Sequence, residues 1–126
     1  MTMSEKNVAS AVAYYQAMSN KNITFLENSL HPQVRLIGPM AELTGKEAVL
    51  NAVKNFLPLF SKLTIRAQFG NGERVMLAYD LDCPAPIGLF RGAALLTFKD
   101  GLIIGYELFY DASPFLQKKE EIFEQS

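Results

Sequence analysis

Tyrosine side chains are the groups in this sequence best placed by type and spacing to contact a ligand. Tyr106, Leu108 and Tyr110 alternate, so on a β-strand they would share one face. Such a face suits a planar, partly polar organic molecule, and it suits ordinary core packing equally well. Tyr14 is a candidate hydrogen-bond donor to a ligand carbonyl; the alternative is an amphipathic pair with Tyr15, one ring in the core and the other at the surface.

Carboxylates are candidate general bases if they reach a buried site. Asp80 and Asp82 lie on a predicted strand whose other face is apolar, comprising Val75, Leu77, Tyr79 and Leu81. If that apolar face turns inward, both aspartates face solvent or a partner subunit, which is the interpretation we favour. If Asp80 instead points into a cavity, burial would raise its pKa and make it a plausible base. Glu107 points away from the pocket if Tyr106 points in.

Metal and nucleophile chemistry have little basis in this sequence. His31 is the single histidine, and it precedes Pro32 at a predicted helix end, where it is expected to cap the helix. Cys83 is the single cysteine, so no intrachain disulfide or thiolate cluster can form. We therefore expect no metal and no cofactor.

Length and charge restrict the class of protein. The chain has 126 residues, of which 49% are hydrophobic and 20% charged, with a formal net charge of −1. We expect a single domain over residues 1–112, followed by an amphipathic C-terminal helix or tail over 113–126. The composition argues against nucleic acid and membrane partners. With no signal peptide apparent, a cytoplasmic location is expected.

The first half of the sequence has helical periodicity. Thr2 and Glu5 have the spacing of a capping box at the start of the first helix. Asn22 is placed to cap a short second helix that ends before Pro32, and a strand is predicted over Val34 to Ile37. Thr44 and Glu47 form a second predicted capping box at the start of a third helix, which Pro58 closes.

After Pro58 the period changes to that of β-strands. Leu63, Ile65, Ala67 and Phe69 alternate with polar residues, which predicts one strand with these four on the same face. Further strands are predicted through residues 75–81, 87–99 and 102–110, and Asp100-Gly101 is a strong hairpin signal. The order predicts an α+β fold in which a curved antiparallel or mixed sheet wraps three N-terminal helices into a cone with an apolar cavity.

Several segments resemble the NTF2-like superfamily, in its SnoaL-like and ketosteroid isomerase-like branch. They are Ala13 to Val34, Leu43 to Val49, and the hairpin from Phe98 to Ile103 followed by Tyr110-Asp111. The resemblance implies the cone fold and places Tyr14 at the isomerase tyrosine. It also places Gly38 at the aspartate base and Ala94 at the protonated aspartate, so steroid-type isomerisation is not expected.

The predicted function is binding of a small organic molecule. The predicted pocket residues are Tyr14, Met18, Phe56, Phe60, Tyr106, Leu108 and Tyr110. A homodimer formed through the outer face of the sheet is expected from the resemblance. Two alternatives stay open: an isomerase, cyclase or dehydratase acting on a polyketide- or terpenoid-like substrate with Asp80 as base and Tyr14 as donor, and a protein-interaction module. The C-terminal helix could be a lid over the cone or a dimer arm.

Overall fold

Residues 1–118 and 122–123 are described by the computed structural model, and within them three α-helices accompany six β-strands. The helices are α1 (Met3–Ser19), α2 (Ile23–Ser29) and α3 (Lys46–Phe56). The strands are β1 (Leu30–Ile37), β2 (Glu42–Thr44), β3 (Lys62–Asn71), β4 (Arg74–Asp82), β5 (Leu89–Lys99) and β6 (Leu102–Tyr110). Short 3₁₀ helices span Leu57–Leu59 and Ser113–Lys118. The predicted α+β cone is confirmed.

The strands form one mixed sheet in the order β2-β1-β6-β5-β4-β3. Only the β1–β6 pair is parallel among the described pairings. The inner face is apolar and packs against the helices; on β4 it carries the buried residues Val75, Leu77, Tyr79 and Leu81. The alternation of polar and apolar residues therefore sets which face of β4 meets the core.

Two local signals in the sequence form as predicted. Thr2 and Glu5 make a reciprocal capping box at the start of α1. Asp100 and Gly101 have φ of 54° and 79°, so the β5–β6 hairpin turns through two residues with positive φ.

The second predicted capping box is wrong. Thr44 ends β2, which pairs with β1 and was not predicted, and Gly45 is the N-cap of α3, without a side-chain hydrogen bond. Gly45 has φ of 96°, a conformation that favours glycine, and this turns the chain from β2 into α3.

Strand pairing also places the start of β1 earlier in the sequence than predicted. β1 begins at Leu30, four residues earlier than predicted, because Leu30 already pairs with Ile103 of β6. His31 thus lies in a strand rather than capping a helix, and its Nδ1 accepts a hydrogen bond from the Gln33 backbone N–H at 3.0 Å. Pro32 lacks an N–H, and the β1–β6 register is irregular between Leu30 and Arg35.

A β-bulge in β3 changes which side chains share a face. Register shifts between Ile65 and Ala67, so Arg66 is the extra residue. Ile65 pairs with Tyr79 on the inner face, whereas Phe69 pairs with Met76 on the outer face and is 72% exposed. The prediction that Leu63, Ile65, Ala67 and Phe69 share one face is therefore wrong after the bulge.

The residues after β6 pack against the cone. The predicted C-terminal helix begins as a 3₁₀ helix over Ser113–Lys118, and Ile122 and Phe123 are α-helical; the part of that prediction at residues 119–121 and 124–126 lies outside the described residues. Among the helices described, none has the length and hydropathy needed to cross a membrane.

Candidate functional site

An apolar cavity lies between the inner face of the sheet and the helices α1 and α3. Its free volume is about 50 Å³. That is room for a few water molecules, since one needs ~10–15 Å³, and far below the ~300 Å³ or more of a typical organic-ligand site. The described lining residues are hydrocarbon, aromatic or thioether side chains, and their polar side-chain groups are tyrosine hydroxyls.

Two of these hydroxyls meet deep in the cavity. Tyr15, on α1, donates a hydrogen bond from its Oη to Oη of Tyr106, on β6, at 3.3 Å. The Tyr106 hydroxyl in turn lies 3.7 Å from Sδ of Met18, a weak acceptor. The Tyr79 ring lies beside Tyr15, with centroids 5.2 Å apart. The cavity therefore has a polar end built from α1 and two strands.

Tyr14 lies behind this polar end. Its ring packs edge-on against the rings of Tyr15 and Tyr106, with both centroid distances at 5.7 Å. The side chain is fully buried, and its hydroxyl has no hydrogen-bond partner in the described structure. It is not among the described residues that line the cavity.

Burial determines the protonation state of these tyrosines. It raises the pKa of Tyr14, Tyr15, Tyr79 and Tyr106 above the usual range, and it raises the pKa of half-buried Tyr110 to about 12. Near neutral pH the hydroxyls are thus protonated. They can donate hydrogen bonds to a ligand, and they are poor proton acceptors.

The structure brings together most of the side chains predicted to form the pocket. Met18, Phe56, Tyr106, Leu108 and Tyr110 line the cavity. Phe60 is buried behind Phe56, with ring centroids 5.7 Å apart, and Lys21 Nζ lies 3.4 Å above the centre of the Phe60 ring. Phe60, like Tyr14, is outside the described lining.

Other lining residues were not predicted from the sequence. They include Tyr15 on α1 and Tyr79 and Phe90 on neighbouring strands, together with Ile122 and Phe123 near the C-terminus. The alternation along β4 already placed Tyr79 on the inner face, so that signal was present. The helical spacing of Ala11, Tyr15 and Met18 likewise indicated an apolar face of α1 that includes Tyr15, whereas the resemblance pointed to Tyr14.

Asp80 is directed away from the cavity. It lies on the outer face of β4, opposite Thr64 and Arg91. Its Oδ1 is 3.0 Å from Arg66 Nε and 3.6 Å from Arg91 Nε. The two contacts are ion pairs without directed hydrogen-bond geometry. The bulge that displaces Arg66 thus places a guanidinium beside this carboxylate.

The inner positions that the resemblance matched to acidic groups carry none here. Ala94 is fully buried on the inner face of β5. Gly38 follows β1, and a Cβ built there would lie 3.6 Å from Leu108 Cβ, next to the cavity wall. Within residues 1–118 and 122–123, no group of three His, Cys, Asp or Glu residues could hold a metal ion.

Solved structures share this fold along most of the chain. A protein from Kribbella flavida DSM 17836 superposes with a TM-score of 0.82 at 21% identity, covering 94% of this chain and 97% of that one. A steroid delta-isomerase from Pseudomonas aeruginosa gives 0.76 at 20% identity, covering 94% and 89%. An LEH-like epoxide hydrolase from M. tuberculosis gives 0.76 at 12% identity, covering 98% and 86%. No curated protein matches the chain.

The cone and its inner cavity define the class, an NTF2-like α+β protein. Within that class, the model of the SnoaL-like domain matches residues 11–106. The chain therefore belongs to the SnoaL-like family. Family membership establishes the fold, whereas the chemistry depends on the residues that line the cavity.

Proposed function

We propose that this protein binds a small, uncharged, mainly apolar molecule that carries a carbonyl or hydroxyl oxygen. The supporting observation is a hydroxyl donor at the polar end of the cavity that has only a weak acceptor. Tyr15 donates to Tyr106, but the Tyr106 hydroxyl has only the Met18 sulfur as its acceptor among the described hydrogen bonds. A ligand oxygen is a much better acceptor than a thioether, so it would orient the ligand towards Tyr106.

An acid–base enzyme is the alternative that this geometry supports less. Proton abstraction needs a base within reach of the substrate, and the described lining offers protonated tyrosines instead. Asp80, the candidate base, is ion-paired on the opposite face of the sheet. An isomerase, cyclase or dehydratase acting on a polyketide- or terpenoid-like substrate would therefore need a base from elsewhere.

A matched pair of probes tests the binding proposal. We expect 2-acetylnaphthalene to bind more tightly than 2-ethylnaphthalene, which has the same shape without the oxygen. One net hydrogen bond corresponds to about a three- to tenfold difference in dissociation constant. Tyr106→Phe should abolish the preference for the ketone, whereas Tyr110→Phe should keep it, because Tyr110 is outside the Tyr15–Tyr106 pair. Isothermal titration calorimetry of both probes with wild type and the two variants gives the six dissociation constants.

Native mass spectrometry of the purified protein is the companion experiment. A co-purifying organic molecule with a carbonyl or hydroxyl group would support the proposal and identify the ligand. If no molecule co-purifies and neither probe binds to wild type or to Asn55→Ala, a variant that removes the hydrogen bond from Asn55 Nδ2 to the Ile122 carbonyl, the proposal is wrong.

We further propose that the protein is a cytoplasmic homodimer that pairs through the outer face of its sheet. Large apolar side chains are exposed there, namely Phe69, Met76, Leu89 and Phe109. Between them Ala78 pairs with Ala93, so small side chains leave room for a second sheet to pack there.

A protein-interaction module is the second candidate function, and the small free volume of the cavity favours it. In that case the outer face would bind a different protein and the cavity would be part of the core. The naphthalene probes separate the two candidates, since a module without a ligand site would bind neither.

A further inference from the structure

The open end of the cone is closed by side chains that follow β6. Phe115, Ile122 and Phe123, here called the cap residues, pack over the rim. Phe115 is fully buried, with its ring centroid 4.6 Å from Phe90 and 5.8 Å from Phe56. Ile122 is 2% exposed, and it lines the cavity together with Phe123.

Apolar contact is the main attachment of the cap residues. The hydrogen bonds from Ser113 N to Asp111 Oδ1 and from Phe115 N to Ala112 O are local to the turn after β6. Among the described side-chain hydrogen bonds, one ties the cap to the cone, from Asn55 Nδ2 to the Ile122 carbonyl at 3.2 Å. Leu116, between these contacts, is 60% exposed. Hydrophobic burial thus holds the cap, and an apolar ligand would offer the cavity the same interaction.

The small free volume of the cavity means that a ligand and the cap residues would need the same space. About 50 Å³ is free while Ile122 and Phe123 form part of the wall. An organic ligand of ordinary size needs ~300 Å³ or more, so side chains must leave for it to enter. Ile122 and Phe123 lie outside the sheet, α1 and α3, whereas most other wall residues belong to these elements.

We propose that Ile122 and Phe123 occupy the position of the ligand's hydrocarbon part, so that cap and ligand compete for the cavity. This inference rests on the proposed binding function and deepens it. The favoured ligand has a ring or branched hydrocarbon, comparable to these two side chains, at the mouth and a single oxygen at Tyr106. Only molecules with an undocked cap can bind it. The apparent affinity of the ligand is therefore the intrinsic affinity multiplied by the fraction of molecules in which the cap is undocked.

Variants that weaken the attachment of Ile122 and Phe123 test the competition, and Asn55→Ala does so without removing a buried apolar side chain. Asn55 holds the cap by its hydrogen bond to Ile122, and Phe115 is the cap residue that anchors the segment against Phe56 and Phe90; neither is among the described lining residues. We expect Asn55→Ala to tighten binding of 2-acetylnaphthalene about threefold or more and Phe115→Ala about tenfold or more. Leu116→Ala is the matched control, because this exposed side chain is in the same segment; its effect should stay within about twofold. Asn55→Ala keeps the test valid if Phe115→Ala does not fold.

Hydrogen–deuterium exchange of wild-type protein with the same probe distinguishes two cases. Either the ligand displaces the cap, or the cap closes over the bound ligand. Faster exchange of peptides containing Phe115 on binding would support displacement of the cap. Slower exchange, or an affinity unchanged by both variants, would overturn the inference and leave the binding function intact. If the probe fails to bind wild type and all three variants, both proposals fall.

Discussion

Two adjacent tyrosines on α1 have opposite hydrogen-bonding environments. Tyr14 has a buried hydroxyl without a partner, whereas Tyr15 donates to Tyr106. We expect Tyr14→Phe to leave the free energy of unfolding unchanged or to raise it, because it removes an unsatisfied polar group. Tyr15→Phe should lower it by about 1 kcal/mol, because Tyr106 loses its donor. Urea denaturation measures both, and equal losses would contradict this assignment.

Gly92 makes room for one of the cavity tyrosines. It pairs with Tyr79, and a Cβ on Gly92 would lie 2.9 Å from both Cζ and Oη of that ring. Gly92→Ala should therefore displace the buried ring and lower the free energy of unfolding by about 1–3 kcal/mol. Gly38→Ala is the control, since its Cβ would meet Leu108 at 3.6 Å, an ordinary contact. Thermal unfolding of both variants compares them, and similar losses would show that Tyr79 does not need this space.

At the scale of elements, α1 is joined to the turn between β3 and β4 by two polar contacts. Asn7 Nδ2 donates to the Gly72 carbonyl at 2.9 Å, and the Gly72 N–H donates to Ser4 Oγ at 2.7 Å. Asn7 is buried, so Asn7→Ala should leave the Gly72 carbonyl unpaired and lower the free energy of unfolding by about 1–2 kcal/mol.

Ser10→Ala, at an exposed position of the same helix, is the control for Asn7→Ala and should change stability by less than about 0.5 kcal/mol. Chemical denaturation of both variants tests the expectation. A loss for Asn7→Ala no larger than the control would show that packing alone orients α1.

For the whole molecule, the buried tyrosines predict a loss of stability at alkaline pH. All five tyrosines of the chain have a raised pKa in the folded protein. Their unfolded pKa is ~10, so the stability they contribute is fully present below that pH and is lost as pH rises further.

We expect phenolate absorbance at 295 nm to appear together with loss of the far-ultraviolet circular dichroism signal, above about pH 10. Half-buried Tyr110, with its pKa raised to about 12, is the tyrosine best placed to ionise before unfolding. Full ionisation of the tyrosines near pH 10 with an unchanged dichroism spectrum would contradict their burial.

The proposed dimer makes a prediction at the same scale. Phe69→Lys combined with Phe109→Lys puts charges on the exposed apolar outer face and should convert a dimer into a monomer. Phe25→Lys, on α2 and 42% exposed, is the matched control and should leave the mass unchanged. Light scattering after size-exclusion chromatography measures the mass of each protein in solution. A wild-type monomer at micromolar concentration would contradict the proposed dimer.

The sequence alone determined the features that depend on neighbouring residues. The capping box at Thr2 and Glu5 and the hairpin at Asp100-Gly101 form as predicted, because each is set by a few adjacent side chains and φ angles. The helical and β periodicities likewise predicted the element types and the α+β class.

Only the tertiary structure decided the features that depend on pairing and packing between distant segments. The β3 bulge at Arg66 moves Phe69 to the outer face, and the parallel pairing with β6 extends β1 back to Leu30. The cap residues close the cavity. A shift of one residue reverses the face of a strand, so small differences in register that leave the sequence pattern intact decide what lines the site.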